Sequence, residues 1–309
     1  MKVLVTGGAG FIGSHIADGV LAAGHEVVVL DNLASGKREN VPTQAQFVEA
    51  DIRSDEAANV IRHGGFDAVI HQAAQIDVRK SVTDPRYDAD VNLLGILNLL
   101  EASVAGGVKR FLFASSGGAC YGEQDIFPAP ETHPTRPVSP YGASKASSEL
   151  YLGYYGFEKK LSWCALRYAN VYGPRQDPHG EAGVVAIFSG RCLAGQTCTI
   201  FGDGKQTRDY VYVGDVARAN VLALTSDYVG PLNIGTGIET DVVQLHAGIA
   251  RATGAEQEPV FAPPRAGEQK RSCIDPRKAS DVLGWKPQVS LEQGLAETAR
   301  FFASRASAA

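Results

Sequence analysis

The sequence predicts a doubly wound α/β fold, in which a parallel sheet of the Rossmann type is covered by helices on both faces. Short strands that are apolar along their whole length alternate with longer helical patterns, and a glycine-rich turn joins the first strand to the first helix. The 309 residues suffice for one large domain with an appended lobe. Hydrophobic residues make up 44% and charged residues 20%, which excludes a disordered or fibrous chain.

The first half of the chain supplies the predicted sheet. Its strands are expected at residues 3–6, 26–30, 45–49, 67–71, 110–115 and 163–167. After the first strand, Ile12, Ile16 and Val20 recur at i, i+4 and i+8 before Gly24. This spacing predicts an amphipathic helix that packs on the sheet. We expect residues 1–170 to form this domain.

The second half is less regular and is predicted to form most of a smaller lobe. Turns rich in glycine and proline are found at 172–178, 201–205 and 259–267. We expect residues 171–309 to form mainly this lobe, with elements from about 210–236 returning to the main sheet.

Charge and cysteine content narrow the range of partners. The net charge of −5 argues against a nucleic acid or an anionic membrane. The five cysteines include no C-x-x-C pair and the histidines show no metal-ligand spacing, so no disulfide framework or metal site is predicted and a reducing cytoplasm is expected. Neither a signal-type apolar segment nor a run near the ~20 residues of a membrane span is found, so we expect neither secretion nor membrane insertion.

The glycine-rich turn predicts a dinucleotide site. Gly7, Gly10 and Gly13 stand between a strand and an amphipathic helix, where backbone N–H groups can approach a pyrophosphate closely. Asp31 ends the second strand, where a carboxylate binds ribose hydroxyls and repels a 2′-phosphate, so NAD is predicted rather than NADP. The pair Asp51-Ile52, after the third strand, either borders the adenine or lies in solvent.

A second motif supplies a candidate base. Tyr141 and Lys145 are spaced i and i+4 in a predicted helix, so they share one face. A lysine ammonium near a tyrosine hydroxyl is expected to lower the tyrosine pKa and make it a base for an alcohol proton. Without the glycine turn upstream, the pair would be indistinguishable from a chance surface pair.

Taken together, these motifs resemble the extended short-chain dehydrogenase/reductase family and, within it, nucleotide-sugar epimerases of the UDP-glucose 4-epimerase type. The resemblance covers nearly the whole chain. It is carried by 6–13, Asp31-Asn32, Asp51-Ile52, 71–74, Asn92, Ser115-Ser116, 141–145, 166–175 and 208–213.

The resemblance implies an enzyme that inverts C4 of a UDP-hexose through a transient 4-keto sugar, with Tyr141 moving the 4-OH proton and NAD carrying the hydride. UDP-glucose and UDP-galactose are the expected pair, and UDP-N-acetylglucosamine or UDP-glucuronate are the alternatives. The residues implied to bind NAD are Gly7, Gly10, Phe11, Ile12, Gly13, Asp31, Asn32, Asp51, Ile52, Gln72, Ala73, Ala74, Asn92, Ser115, Tyr141, Lys145 and Tyr168. For Asn92, a polar residue on a helix surface is the alternative.

The same resemblance places substrate contacts in the second half of the chain. The implied substrate-binding residues are Ser116, Tyr141, Asn170, Arg208, Arg265, Glu268 and Ser272. Arg175 and Arg271 are expected to be solvated or to fix loops. The small Ser272 predicts a pocket with room for a 2-acetamido group.

One departure from the family pattern concerns the catalytic hydroxyl. Gly117 stands where the family usually has Ser or Thr, so Ser116 or a water molecule replaces it, or Tyr141 acts directly. No acidic residue lies between Ser115 and Gly122, which disfavours a dehydratase. A 4-ketoreductase would need exchangeable NAD(P)H, and a non-catalytic NAD-binding regulator would not need Tyr141 and Lys145.

The resemblance also implies a homodimer, joined by the helix around 90–105 and the helix after Tyr141. The apolar run within 91–100 fits a helix buried on two sides, and a fully internal helix would show the same pattern.

Overall fold

A seven-stranded parallel sheet forms the centre of the protein in the computed structural model, which describes residues 1–178, 183–264 and 269–306. In chain order the strands are β1 (Lys2–Thr6), β2 (Glu26–Asp31), β3 (Gln46–Glu49), β4 (Ala68–His71), β5 (Arg110–Ser116), β6 (Ser162–Tyr168), β7 (Asn170–Tyr172), β8 (Thr199–Phe201), β9 (Thr207–Tyr212), β10 (Gly230–Ile234), β11 (Glu239–Asp241), β12 (Val260–Ala262) and β13 (Arg271–Ser272). The order across the main sheet is β3-β2-β1-β4-β5-β6-β10. The predicted doubly wound fold is confirmed.

Helices cover both faces of this sheet. They are α1 (Phe11–Ala22), α2 (Asp55–His63), α3 (Val78–Thr83), α4 (Pro85–Ala89), α5 (Gly95–Ala105), α6 (Gly117–Tyr121), α7 (Pro140–Lys159), α8 (Val184–Leu193), α9 (Val213–Leu224), α10 (Val242–Thr253), α11 (Arg277–Leu283) and α12 (Leu291–Ala306), with a 3₁₀ turn at Arg38–Asn40. The local sequence determines where α7 begins. The Ser139 side chain accepts a hydrogen bond from Gly142 N, and Pro140 follows it in the first turn. No helix in the described ranges is long and apolar enough to cross a membrane.

Two apolar layers hold the sheet between its helices. On one face α1 and α9 pack together, with Ile16 and Val20 of α1 fully buried as their spacing predicts. On the other face α2, α5 and α7 cover the sheet, and Leu99 and Leu152 are completely buried there. Because both faces are covered, the central residues of β1, β2 and β4 are apolar without alternation.

Elements of the second half of the chain also form a lobe with its own core. Strands β7, β9, β11 and β13 make one small sheet, and β8 pairs with β12. Helices α8, α10 and α12 pack on one another around Tyr172, Phe188 and Leu245. The segment 210–212 lies in this small sheet, whereas β10 joins the main sheet beside β6.

The helix expected around 90–105 is interrupted in its first part. Residues Asp90–Leu94 adopt a π-helical turn before α5 begins at Gly95. Such turns are often found at functional sites because they redirect side chains. Here the turn contains Asn92, whose side chain is buried.

Candidate active site

The glycine-rich turn forms a tight backbone cradle at the carboxyl end of β1. A Cβ on Gly7 would lie 2.5 Å from Ala73 N, and one on Gly13 would collide with the carbonyl oxygen of Gly7. Gly10 precedes α1 without a side-chain cap, and the first turn of α1 carries no acidic residue. The N–H groups in the first turn of α1 have no helical acceptor, so the cradle leaves room and donors for an anionic group such as a pyrophosphate, which fits a dinucleotide.

Asp31 fixes the loop beside this cradle. Its carboxylate accepts hydrogen bonds from Ala9 N at 3.0 Å and from Leu33 N at 2.8 Å. Burial raises the pKa of Asp31, and the two N–H groups oppose that shift. The carboxylate thus also has the turn-fixing role that an Asp at a strand end often has.

The predicted adenine-side residues form an ion-paired edge rather than a free surface. Asn32 donates to Asp51 at 3.0 Å, and Arg53 binds the Asp51 carboxylate at 2.8 Å. Arg53 holds the pKa of Asp51 well below its usual range. The side chain of Ile52 is buried in the core, so a contact from Ile52 to a cofactor would come from its backbone.

Gln72, Ala73 and Ala74 follow β4 and lie next to the glycine cradle. The Gln72 amide donates to the Tyr168 hydroxyl at 3.1 Å, and Asn220 of α9 donates to the same oxygen at 2.8 Å. The structure therefore brings two predicted cofactor residues together. Asn220 was missed by sequence reasoning, because its partners are 52 and 148 positions away.

Asn92 is an anchor inside the protein, so the alternative that it is a surface residue is wrong. Its side chain accepts a hydrogen bond from Gln75 N at 2.8 Å and donates to Gln75 O and to Asp88. Asp88 in turn accepts a hydrogen bond from Ser144 of α7. This chain of contacts ties the π-helical turn to the loop after β4 and to the helix that carries the candidate base.

Tyr141 and Lys145 lie on one face of α7, as predicted. The Lys145 Nζ donates to Ala114 O at 2.8 Å and lies 5.7 Å from the centre of the Tyr141 ring. Burial lowers the pKa of Lys145 to about 8. Burial, with Cys120 and Asp88 nearby, raises the pKa of Tyr141.

The expectation that the pKa of Tyr141 is lowered is therefore wrong. The ammonium of Lys145 donates to Ala114 O of β5, and burial has the largest effect on the pKa of Tyr141.

Ser115 and Ser116 end β5 and have different partners. Ser115 Oγ donates to the buried Glu149 carboxylate at 2.5 Å, and Glu149 forms an ion pair with Arg167 at 2.6 Å. Ser116 Oγ accepts from Ala119 N and caps α6, which leaves its own proton free to donate. Sequence reasoning missed Glu149 and Arg167, because an ion pair between a helix and a strand leaves no local pattern.

Gly117 lies against the lobe. A Cβ there would lie 2.8 Å from Ile274 Cγ2, so Ile274 fills the space that a serine or threonine side chain would need. The absence of a hydroxyl at Gly117 thus goes together with an apolar side chain, that of Ile274, in the space beside it.

Three predicted substrate residues lie on neighbouring strands of the small sheet. Asn170 pairs with Tyr210 across β7 and β9, and Arg208 pairs with Ser272 across β9 and β13. Ser272 is buried, and its Oγ is 3.1 Å from where a Cβ on Gly118 would be. Arg265 and Glu268 lie outside the described residues.

Arg175 and Arg271 fix loops, in agreement with one of the two expectations for them. Arg175 pairs with Asp18 of α1 at 2.7 Å. Arg271 pairs with Glu239 at 2.5 Å and lies over the Phe127 ring.

His71, under the cradle, should make stability depend on pH. Its Nδ1 is 2.7 Å from Thr6 Oγ1, and burial, together with the charge of Lys145, lowers its pKa to about 3. The unfolded chain binds a proton at His71 below pH 6.5 and the folded chain does not. Stability is therefore complete above pH 6.5 and falls as pH drops toward 3, by about 1.4 kcal/mol between pH 7.5 and 5.5.

Urea unfolding of the parent and of His71→Asn at both pH values measures this contribution. The variant should lose about 1.4 kcal/mol less stability than the parent on acidification. His63→Asn, at the exposed end of α2, should behave like the parent. An equal loss in the parent and His71→Asn would contradict the assignment.

Comparison with known proteins agrees with this geometry. Residues 3–235 match the model of the NAD dependent epimerase/dehydratase family. The UDP-glucose 4-epimerase of Mycolicibacterium smegmatis is 48% identical over 311 residues, covering 99% of each chain.

Two solved structures are similar over almost the whole chain. A UDP-glucose 4-epimerase from Thermotoga maritima, determined with UDP-glucose, has a TM-score of 0.97 and 50% identity, covering 99% of this chain and 100% of its own. A UDP-glucose 4-epimerase from Thermus thermophilus, in complex with NAD, has a TM-score of 0.93 and 51% identity, covering 98% and 99%. The glycine cradle and the pair Tyr141 and Lys145 agree with the sequence identity and the shared fold. The chain belongs to the NAD dependent epimerase/dehydratase family.

Proposed function

We propose that this protein is an NAD-dependent UDP-hexose 4-epimerase that interconverts UDP-glucose and UDP-galactose. The observation that carries the proposal is the position of Tyr141 and Lys145 at the carboxyl end of β5, in the same sheet edge as the glycine cradle after β1. The carboxyl edge of a doubly wound sheet is where its ligands bind. The relatives named as UDP-glucose 4-epimerases support this choice of reaction.

The cradle fits NAD, and Asp31 beside it favours a ribose without a 2′-phosphate. Bound NAD would accept the C4 hydride of the sugar and return it, and its positive nicotinamide would favour the phenolate of Tyr141. Asn220 and Gln72 hold Tyr168, and Asn92 holds the loop after β4. These contacts keep the cofactor side of the site rigid.

The proton moves through Tyr141. As phenolate it takes the proton of the sugar 4-OH, and it returns that proton when the 4-keto sugar is reduced on its other face. Lys145, held by Ala114 O, provides a positive charge that opposes the cost of a buried phenolate. Ser116 has a free hydroxyl proton with which it can contact the sugar oxygen in place of the absent side chain at Gly117.

The diphosphate of the substrate needs local cations in a chain of net charge −5. Arg208 on β9 is part-buried next to Ser272 and bonds to its own strand through Thr207 O at 2.8 Å. We propose that Arg208 and Arg265 bind the diphosphate, that Asn170 adds an amide contact, and that Glu268 binds the nucleotide ribose.

Proton NMR of the C4 configuration tests the proposed activity. The protein, purified without added cofactor, is incubated separately with UDP-glucose, UDP-N-acetylglucosamine and UDP-glucuronate. Inversion of UDP-glucose without added NAD is the expected result, because the hydride returns and no cofactor is consumed. If no sugar is inverted after NAD is supplied, the proposal fails and a ketoreductase or a regulator takes its place.

A second sugar is favoured by one observation. Ser272 is small and buried against Gly118, directly beside the turn that carries Gly117. A small side chain there leaves volume for a 2-acetamido group, so we propose that UDP-N-acetylglucosamine is also a substrate.

Ser272→Tyr should therefore change sugar preference. We expect kcat/KM for UDP-N-acetylglucosamine to fall by about 10–100-fold, with a much smaller change for UDP-glucose, because filling a pocket costs about 1–3 kcal/mol. Initial rates with both sugars measure the ratio, and Ser272→Ala is the control of similar size. An unchanged ratio would remove Ser272 from the specificity pocket.

We further propose that the protein works in the cytoplasm as a homodimer. The five cysteines are free thiols, which suits a reducing compartment. Helix α7 exposes Leu150 and Phe157 by 77% and 74%, and the π-helical turn that packs on it exposes Leu94. An apolar face of this kind is costly in water and fits a self-complementary interface.

Introducing charge on this face should separate the subunits. We expect light scattering to give the parent twice the mass of the chain, and to give Leu150→Glu the mass of one chain at low micromolar concentration. Arg251→Glu, at an exposed position of α10 in the second lobe, serves as the control. A monomeric parent would contradict the proposed dimer.

A further inference from the structure

Three side chains that the active site does not use meet in the core of the second lobe. Cys192 lies in the last turns of α8, Cys198 directly precedes β8, and His246 lies on α10. The two Sγ atoms are 3.7 Å apart, and one imidazole nitrogen of His246 lies within 4.8 Å of both. Their exposed fractions are 6%, 1% and 6%. Spacing along the chain does not reveal this group, because its members come from three separate elements.

One ring nitrogen of His246 lacks a hydrogen-bond partner among the described residues. This nitrogen is Nε2, and it is buried. The ring also contacts the Phe188 ring edge to face, with centroids 5.7 Å apart. A buried polar nitrogen without a partner costs free energy, and a bound ligand would remove that cost.

The distances match a tetrahedral thiolate site. Zinc binds cysteine sulfur at about 2.3 Å and histidine nitrogen at about 2.0–2.1 Å, so two thiolates at the tetrahedral angle are separated by about 3.8 Å. The observed separation of 3.7 Å needs almost no movement of the two sulfur atoms. The histidine nitrogen would move toward them by a side-chain rotation.

The net charge of the occupied site favours a divalent metal ion. When a divalent cation binds, both thiols release their protons to solvent, and two thiolates with a neutral imidazole leave a site of zero net charge. A monovalent copper ion would leave one negative charge in an apolar core that includes Ile200, Leu245 and Ile249. A soft divalent cation is therefore favoured over both copper(I) and hard cations such as magnesium.

We propose that Cys192, Cys198 and His246 bind a structural Zn²⁺ ion. The fourth position of the tetrahedron is taken by water or by the Phe188 carbonyl oxygen, which lies 3.9 Å from Cys198 Sγ and loses its hydrogen bond from that thiol when the thiol is deprotonated. The ion joins α8, the start of β8 and α10, so it stabilises the second lobe independently of the proposed epimerase reaction.

Metal content of the full-length protein tests this site. The protein is stripped with a chelator, incubated with equimolar Zn²⁺ under reducing conditions, desalted and analysed by mass spectrometry for bound metal. One zinc per chain is expected, and chelation should lower the melting temperature. Co²⁺ in place of zinc should give the sulfur-to-cobalt charge-transfer absorption and the intense visible bands of a tetrahedral site.

Variants assign the ligands. Cys192→Ser, Cys198→Ser and His246→Gln should each weaken Zn²⁺ binding by at least 10-fold, whereas His246→Cys keeps a ligand and should retain the ion. Cys164→Ser is the matched control, because Cys164 is equally buried but lies in the core of the main sheet. The proposal is overturned if the parent protein retains no zinc, or if cobalt shows no sulfur charge-transfer band. Loss of both thiols by oxidation to a metal-free disulfide would equally overturn it.

Discussion

Tyr141→Phe should lower the rate of C4 inversion by a factor of about 10²–10⁴ and leave the fold unchanged, because a positioned general base contributes about that much. The change removes one oxygen atom. In the described part of the chain the Tyr141 hydroxyl makes no hydrogen bond that the fold would lose. The expected loss is in kcat, since the proton moves only in the reaction.

Steady-state turnover of UDP-glucose is the measurement, together with the amount of NAD that copurifies. Tyr151→Phe is the matched control, because Tyr151 is on the same helix but points outward with 40% of its surface exposed. Retained NAD with turnover lost identifies a chemical role for Tyr141. If Tyr141→Phe and Tyr151→Phe retain similar activity, the proton must be moved by another group, and Ser116 becomes the first candidate.

The local parts of this protein could be predicted from sequence. The central residues of β1, β2 and β4 are apolar in unbroken runs because both faces of the sheet are covered, so their pattern alone indicates a parallel sheet. The glycine cradle and the pair Tyr141 and Lys145 are likewise contiguous motifs. Each of these features is set by residues within a few positions of one another.

Contacts between distant segments could not be predicted in this way. Asn220 reaches Tyr168 from a helix 52 residues further along, and Ile274 comes from the second lobe to occupy the space beside Gly117. The pKa of Tyr141 is a further example, because its direction depends on burial by several elements and not on the spacing to Lys145. Side chains brought together by the fold, such as Cys192 and His246, leave no periodic signal in the sequence.

The buried ion pair under the active site is the clearest case of such a contact, and removing one partner should be costly. Glu149 and Arg167 have side-chain exposures of only 9% and 6%, and their shortest N–O distance is 2.6 Å. Glu149 also accepts a hydrogen bond from Ser115, and Arg167 donates to Tyr121. Burial by itself would lower the pKa of Arg167, but the carboxylate of Glu149 raises it above its usual range, so Arg167 is charged in the fold.

Glu149→Leu should therefore lower the free energy of unfolding by about 3–5 kcal/mol, because it leaves the Arg167 guanidinium buried without a counter-charge. Urea unfolding measures the loss. Asp125→Asn breaks a pair with Arg136 of nearly the same length, 2.7 Å, but there the side chains are 64% and 56% exposed. It should cost less than about 1 kcal/mol, since solvent screens exposed pairs.

The double variant Glu149→Leu/Arg167→Met separates two explanations of the loss. If the cost comes from an uncompensated buried charge, removing Arg167 as well should restore much of the stability, because an apolar pair avoids the desolvation of both ions. If the double variant is as unstable as the sum of the two single variants, the effect comes from lost packing around β6 and α7. The pair connects Ser115, at the end of β5, to the helix of Tyr141. If the double variant regains stability, it still lacks this connection, so its turnover should remain low.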